Sequence, residues 1–425
     1  METNYIALAI PVFFALIALE VWASRQRDRR DYRLNDSVND LSTGVFQQVT
    51  SLLGAGVLVA GYLALYEHAR VADLPADSLL VWTGCFVGVD LLYYWFHRLS
   101  HEINFLWAAH VVHHQSEEYN LTVALRQSAL QPFFSNVFYW PLALLGVPPP
   151  VFLACVSFNT LYQFWIHTRL LGRLGPLEQL LMTPSHHRVH HGRNPRYIDR
   201  NHGGTFILWD KLFGTFEPET EEVVYGITKP LASWNPLWAN LHDWLELGRA
   251  ARATQRWRDK LLVFLKPPGW LPDDLGGFQP APAIPRDARG ASLVRKYDPP
   301  LPRATTVYAT VQFVQVLALA VVFIAGSGML APALRIALAG GVTWGLVSVG
   351  ALFEGAAWAG RCEWLRLLMT PAAVLALAPA AATLGVPRTL LALAALAAFL
   401  TGNALLARRL GVRWSPAPSK RVRTT

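Results

Sequence analysis

Seven stretches of this chain are apolar for long enough to cross a lipid bilayer, and that property restricts the fold more than any other. They lie at about 5–23, 47–66, 78–96, 307–326, 336–358, 366–385 and 388–407. A helix needs roughly 17 to 25 residues to cross about 30 Å of hydrocarbon. An open chain or sheet edge there would strand its amide groups, so helices are the form these stretches must take. Two shorter apolar stretches, at about 132–147 and 150–166, flank Pro148, Pro149 and Pro150 and read as a helical hairpin that dips in and returns. The expectation is an all-α integral membrane protein, a multi-span helical bundle with about nine crossings or near-crossings.

Composition agrees: 53% hydrophobic residues, 16 Trp and only 16% charged residues exclude an ordinary soluble protein. The net charge of +8 raises nucleic acid as a partner. The basic residues, however, sit in loops beside apolar stretches, so no nucleic-acid partner is expected and their reading is topological. Arg25, Arg27, Arg29, Arg30 and Arg33 follow the first span, the segment 168–305 is rich in Arg and Lys, and Lys420, Arg421 and Arg423 close the tail. The opposite loops carry few basic residues, such as Arg70 and Arg388. By the positive-inside rule the basic segments are cytoplasmic, with the N-terminus outside and the C-terminus inside. The first span lacks a basic lead and a small-residue cleavage site, so it reads as retained. Cys85, Cys155 and Cys362 are far apart and in or beside apolar stretches, which indicates neither a disulfide framework nor a CxxC metal site.

The chemistry is carried by histidine. Of 13 histidines, eight fall into three groups: His97 and His101 in HRLSH, His110, His113 and His114 in HVVHH, and His187, His190 and His191 in HHRVHH. In a helix, spacings of i, i+3 and i+4 put side chains on one face, so each triplet is expected to converge on a metal. His167, at the end of FNTLYQFWIHT, falls at the same cytoplasmic level as His97 by the counting of spans and is read as a ninth ligand. Asp90 lies seven residues before His97 within an apolar stretch, where an ionisable group marks a functional position. It is read as an acceptor for a ligand imidazole. Glu102, Glu118, Asn120, His186 and His202 are the other polar residues expected close behind the ligands. Eight or nine neutral nitrogens without thiolates suit iron or zinc and disfavour an iron–sulfur cluster.

Read in order on one cytoplasmic face, these motifs resemble the fatty acid hydroxylase and sterol desaturase superfamily of integral membrane di-iron enzymes. EEYNLTVALRQS, LYQFWIHT, TPSHHRVHHGRN and WDKLFGTFE bring it closest to the ether-lipid-cleaving members. The similarity covers roughly 80–220, and His202 stands where those members tend to have Tyr. The resemblance implies two iron ions, zinc being the alternative in purified protein, and ligands at His97, His101, His110, His113, His114, His167, His187, His190 and His191. It implies an O2-dependent lipid monooxygenase that hydroxylates a C–H bond, in its sharpest form the ether-adjacent carbon of alkylglycerols, with cleavage to an aldehyde. Its partners are a lipid, dioxygen and an external electron donor, for which the resemblance points to a tetrahydropterin. Two alternatives stay open: a sterol, carotenoid or fatty-acyl hydroxylase or desaturase, and a non-enzymatic zinc-binding membrane transporter or sensor.

Four regions are expected: N-terminal spans and a linker at 1–80, a di-metal core at 81–220, a cytoplasmic cap at 221–305, and a C-terminal four-span bundle with a basic tail at 306–425. The last has no histidine in its spans, and its acids Glu354 and Glu363 read as interfacial or paired. No haem CxxCH or dinucleotide-binding GxGxxG turn occurs, so electrons are expected from outside the chain. Trp209, Phe213, Phe216 and Glu217 are candidates to hold a flat reductant.

Overall fold

A computed structural model of the chain describes residues 5–377, 399, 401–409 and 412. Among these the protein is helical, with isolated β-bridges only. The helices are α1 (Tyr5–Gln26), α2 (Leu34–Ala69), α3 (Leu79–Glu102), α4 (Asn104–His110), α5 (Leu121–Ala124), α6 (Gln131–Phe138), α7 (Trp140–Leu144), α8 (Pro149–Trp165), α9 (Pro184–His190), α10 (Leu208–Phe213), α11 (Pro236–Ala253), α12 (Trp257–Leu265), α13 (Arg303–Gly326), α14 (Pro332–Glu354) and α15 (Ala359–Leu377). Among the described residues four helices are long and apolar enough to cross a membrane: the Ala9–Gln26 part of α1, then α3, α13 and α14. The two halves of α2, bent by 42°, make a fifth if taken as one span.

The sequence count of nine is larger for three reasons, the first being that the stretch at 150–166 forms α8, whose 17 residues are shorter than any of the helices long enough to cross. The arm expected at 132–147 divides into α6 and α7, of 8 and 5 residues. Each restarts with a proline at its second position, where the missing N–H costs nothing but a continuing helix would lose a bond. At about 1.5 Å of rise per residue neither crosses a bilayer. The stretch at 366–385 begins in α15 and runs out of the described residues, and that at 388–407 is described only in its last part.

The chain divides into two compact units, the first drawing on residues 1–44, 54–231 and 240–296 and the second on 45–53, 232–239 and 297–425. In the first, α3 and α8 run side by side in the same direction, since the Cys155 thiol meets the Trp82 carbonyl and Asn159 meets Asp90. Cys85, Val89, Leu142, Val151 and Phe152 fill the space between and beside them, and the ring of Tyr62 stacks on Phe152 at 4.0 Å. Lipid is as apolar as these side chains, so close packing rather than escape from water holds such helices together. The consequence for function is positional: the last turns of α3 and the second residue beyond α8 arrive together, bringing His97, His101 and His167 to one place.

Polar contacts fasten α1 to the same region. Glu20, buried in that helix, accepts from the Leu121 amide at 2.8 Å and from the hydroxyls of Tyr32 and Thr168. In the second unit, α13 and α14 approach closely at Gly345, where a Cβ would come within 2.9 Å of Val316. Both acids noted there in the sequence are paired. Glu363 accepts from Arg366, Tyr308 and Ser348, and Glu354 accepts from the Ser233 hydroxyl and the Trp234 amide.

Candidate metal centre

Nine buried imidazoles meet where α3, α8 and α9 end, in two groups whose ligating atoms lie within 4.8 Å of one another. The first holds His97, His101, His110, His114 and His190, and the second His113, His167, His187 and His191. The sequence expectation that each triplet converges on one metal is corrected here: both triplets are divided. His110 closes α4, while His113 and His114 sit in a tighter 3-10 turn, Val111–His114, so successive rings swing apart. His114 joins His110, and His113 turns to the second group. In α9, His190 faces the first group while His187 and His191 face the second.

Within the first group the ring of His101 lies against all four others at 4.8–5.4 Å. The rings of His97, His110, His114 and His190 close a circuit around it, with neighbours at 4.3–5.0 Å. The first group is thus a circuit of four imidazoles with the ring of His101 lying against each of them.

Hydrogen bonding on the outer side fixes which nitrogen points inward. The Nδ1–H groups of His97, His113, His167 and His190 donate to the backbone carbonyls of His202, Arg126, Gln163 and Arg200, at 2.7–3.0 Å. His110 Nδ1 meets the side-chain oxygen of Gln131 at 2.8 Å. A carbonyl only accepts, so these rings carry their proton on Nδ1 and leave Nε2 as a bare lone pair. Burial also pushes the His113 imidazole down to about 4 and that of His110 down to about 3. It pushes His187, His190 and His191, beside further imidazoles, well below the usual histidine range. Yet the Nε2 atoms of His113 and His167 face each other at 3.3 Å, and His110 Nε2 lies 3.1 Å from those of His97 and His114. Two lone pairs at that distance cannot hydrogen-bond. A cation between them would make the arrangement favourable, and nitrogen-only donor sets suit iron or zinc.

Of the six residues expected behind the ligands, His202 is placed there and the other five are engaged elsewhere. Asp90 accepts from Asn159 Nδ2, the amides of Thr205 and Phe206, and Trp209 Nε1, at 2.5–3.1 Å. It therefore pins the 203–209 segment instead of orienting an imidazole. Glu102 pairs with Arg98, Glu118 with Arg33 and Lys296, and Asn120 caps α5 and donates to the Asp31 carbonyl. His186 packs its ring on Phe216, outside both groups. His202 is fully buried, 5.1–5.6 Å from the rings of His97, His101 and His190, and its contribution to a ligand is its backbone carbonyl. The residues that do hold the imidazoles act mostly through main-chain oxygens, which leave no side-chain signal in a sequence. The candidates for a flat reductant are likewise engaged: Trp209 with Asp90, Phe213 with Tyr94 and Trp95, Phe216 with Lys211, and Glu217 with Arg196.

Residues 82–215, which contain every one of these histidines, match the family model described as fatty acid hydroxylase. Helices able to cross a membrane and two buried histidine groups inside that match define a membrane-bound, oxygen-dependent lipid hydroxylase. An alkylglycerol monooxygenase of Xenopus tropicalis is 41% identical over 367 residues, covering 86% of this chain and 81% of the relative. The alkylglycerol monooxygenase of Homo sapiens is 39% identical over 374 residues, with the same coverage of each. The chain belongs to the alkylglycerol monooxygenase family. An ornithine lipid hydroxylase of Rhizobium tropici is 33% identical over 142 residues, 33% of this chain and 43% of that protein. No solved structure matches.

Proposed function

We propose that this protein is a di-iron monooxygenase that hydroxylates the ether-adjacent carbon of alkylglycerols. The observation that carries the reading is the set of unprotonated imidazole nitrogens facing one another in two buried groups, in a chain similar over most of its length to alkylglycerol monooxygenases. The nine histidines are the proposed ligands, five for one ion and four for the other. When bound, an iron pair supplies the redox chemistry that lets dioxygen attack an unactivated C–H bond. The chain's own contribution is placement: backbone carbonyls lock the ring orientations, burial keeps the imidazoles neutral, and close packing keeps bulk water away. Hydroxylation turns the ether carbon into a hemiacetal, which collapses to an aldehyde and a free glycerol hydroxyl.

This assignment is favoured over sterol, carotenoid or fatty-acyl oxidation by the 39–41% identity to alkylglycerol monooxygenases. A zinc transporter is disfavoured because the histidines gather at helix ends in one buried site. The test supplies purified, iron-loaded protein with an alkylglycerol, dioxygen and a tetrahydropterin, and follows products by mass spectrometry. A fatty aldehyde is expected. An intact ether lipid carrying a new hydroxyl remote from the ether, or a new double bond, overturns the assignment.

The proposed placement is at the cytoplasmic membrane boundary, supported by the Arg-rich segments that flank the site. A cysteine introduced at exposed Arg249 should stay unlabelled by an impermeant maleimide in intact cells and react after permeabilisation. Labelling without permeabilisation would put the site on the other face.

A further inference from the structure

Beside the histidine groups the described residues hold a cavity that is linked to them through two aromatic rings. It has a volume of about 220 Å³, and Glu117, Arg169, Glu222, Tyr225, Ser292 and Lys296 are among its lining residues. Tyr225 forms part of its wall and stacks on Tyr119, ring centroids 4.9 Å apart and planes inclined by only 10°. Tyr119 is completely buried, and its ring lies 5.3 Å from that of His191 and 5.7 Å from that of His167, both in the four-histidine group. Two stacked aromatic rings therefore separate the cavity from the proposed ligands of one ion. The column is held firmly. Tyr225 is bridged to Gly192, the residue after His191; the Arg193 amide donates to the Val224 carbonyl at 2.8 Å; and the Tyr119 hydroxyl donates to the Ile166 carbonyl at 3.0 Å.

We propose that this cavity is the docking site of the reductant, and that Tyr225 and Tyr119 carry its electrons to the four-histidine group. The proposal rests on the monooxygenase reading, which requires two electrons from outside for each dioxygen. The occupant is a small, flat, reduced nitrogen heterocycle bearing N–H donors and a ring carbonyl. The volume admits a bicyclic ring and excludes a protein domain. Carboxylates accept and cations donate more than one hydrogen bond, so Glu117 and Glu222, paired with Arg33 and Arg286, can also take N–H groups, and Arg169 and Lys296, paired with Asp31 and Glu118, can also meet a carbonyl; the Tyr225 ring, with Arg169 5.8 Å from its centroid, supplies the aromatic part of the wall. The reaction balances: the heterocycle gives two electrons and two protons and gains a double bond, one oxygen atom enters the C–H bond, and the other leaves as water. The tyrosines end unchanged. Their hydroxyls are not needed for the transfer, since that of Tyr119 is tied to a carbonyl and the contact between the two residues is ring to ring.

The test is anaerobic stopped-flow reduction of the full-length, iron-loaded ferric enzyme, with 6-methyltetrahydropterin as the heterocycle and dithionite as a small donor that needs no cavity. Tyr225→Leu removes the ring and Ser292→Trp fills the cavity. Each is expected to slow reduction by the pterin about tenfold or more, the size of a lost stacking contact. Tyr225→Phe should reduce like the wild type, and dithionite rates and iron content should be unchanged throughout. Wild-type pterin rates in both Tyr225→Leu and Ser292→Trp overturn the proposal. So does equal slowing with dithionite, or iron loss in Tyr225→Leu, which would make the ring a structural support. Reduction of the wild type by dithionite but not by the pterin also overturns it. Failure of the alkylglycerol reading looks different: the pterin would still reduce the iron and the variants would still slow it, but no aldehyde would form.

Discussion

His187→Ala is expected to abolish aldehyde formation and to lower metal content, with the protein still inserted in the membrane, while His186→Ala leaves both near the wild-type level. The two residues are neighbours in one short helix and both are buried, so burial alone does not separate them. What separates them is direction. His187 Nε2 lies 3.0 Å from His167 Nε2 inside the four-histidine group, whereas the His186 ring rests on Phe216 at 5.6 Å and belongs to neither group. Elemental analysis of the two purified variants, alongside the lipid assay, reads the result. Equal loss of metal from both would refute the division into two groups.

A second large effect is expected from Asp90→Ala. This carboxylate is completely buried and accepts four hydrogen bonds, three of them from residues 205–209. Removing it strands buried donors at a cost of roughly 1–3 kcal/mol each, so a loss on the order of 3–5 kcal/mol is expected after partial relaxation. The segment it releases follows His202, whose carbonyl orients His97. Thermal denaturation should show the destabilisation, and metal titration should show weaker binding at the five-histidine group. Asp90→Asn keeps two of the oxygen's acceptor positions and should lose less. An unchanged melting temperature in Asp90→Ala would mean that Asp90 does not pin this segment.

How far the molecule was legible in its sequence differs from level to level. The spans of α1, α3, α13 and α14 were plain because hydrocarbon imposes a length and a composition that few soluble segments imitate. The stretch at 132–147 was misread as one arm because an apolar average does not register where Pro132 and Pro141 force the helix to restart. Eight of the nine histidines that the structure brings together were visible through their spacing, and His167 through a counting of spans that placed it level with His97. The division of each triplet was not visible, because i, i+3 and i+4 look alike whether the turn is α or 3-10, and only the tighter Val111–His114 turn sends His113 away from His114. Asp90 looked like an imidazole acceptor because seven residues make about two helical turns, but its partners come from a segment more than a hundred residues later. No local pattern announces that pairing.

The seven-residue α9 feeds His190 to one group and His187 and His191 to the other. A helix below ~12–15 residues has little tendency to form on its own. Its order comes from what its side chains hold, Arg188 on Glu219 and Ser185 on Glu178 as well as the histidines on their groups, so the first cation to arrive would bear, for both groups, the ordering cost that those other contacts leave. The second would then find its nitrogens already in place. Loading would be cooperative, passing from empty to doubly filled with little of the singly filled form, and an enzyme built this way would avoid accumulating a lone redox-active ion that could reduce dioxygen without a partner.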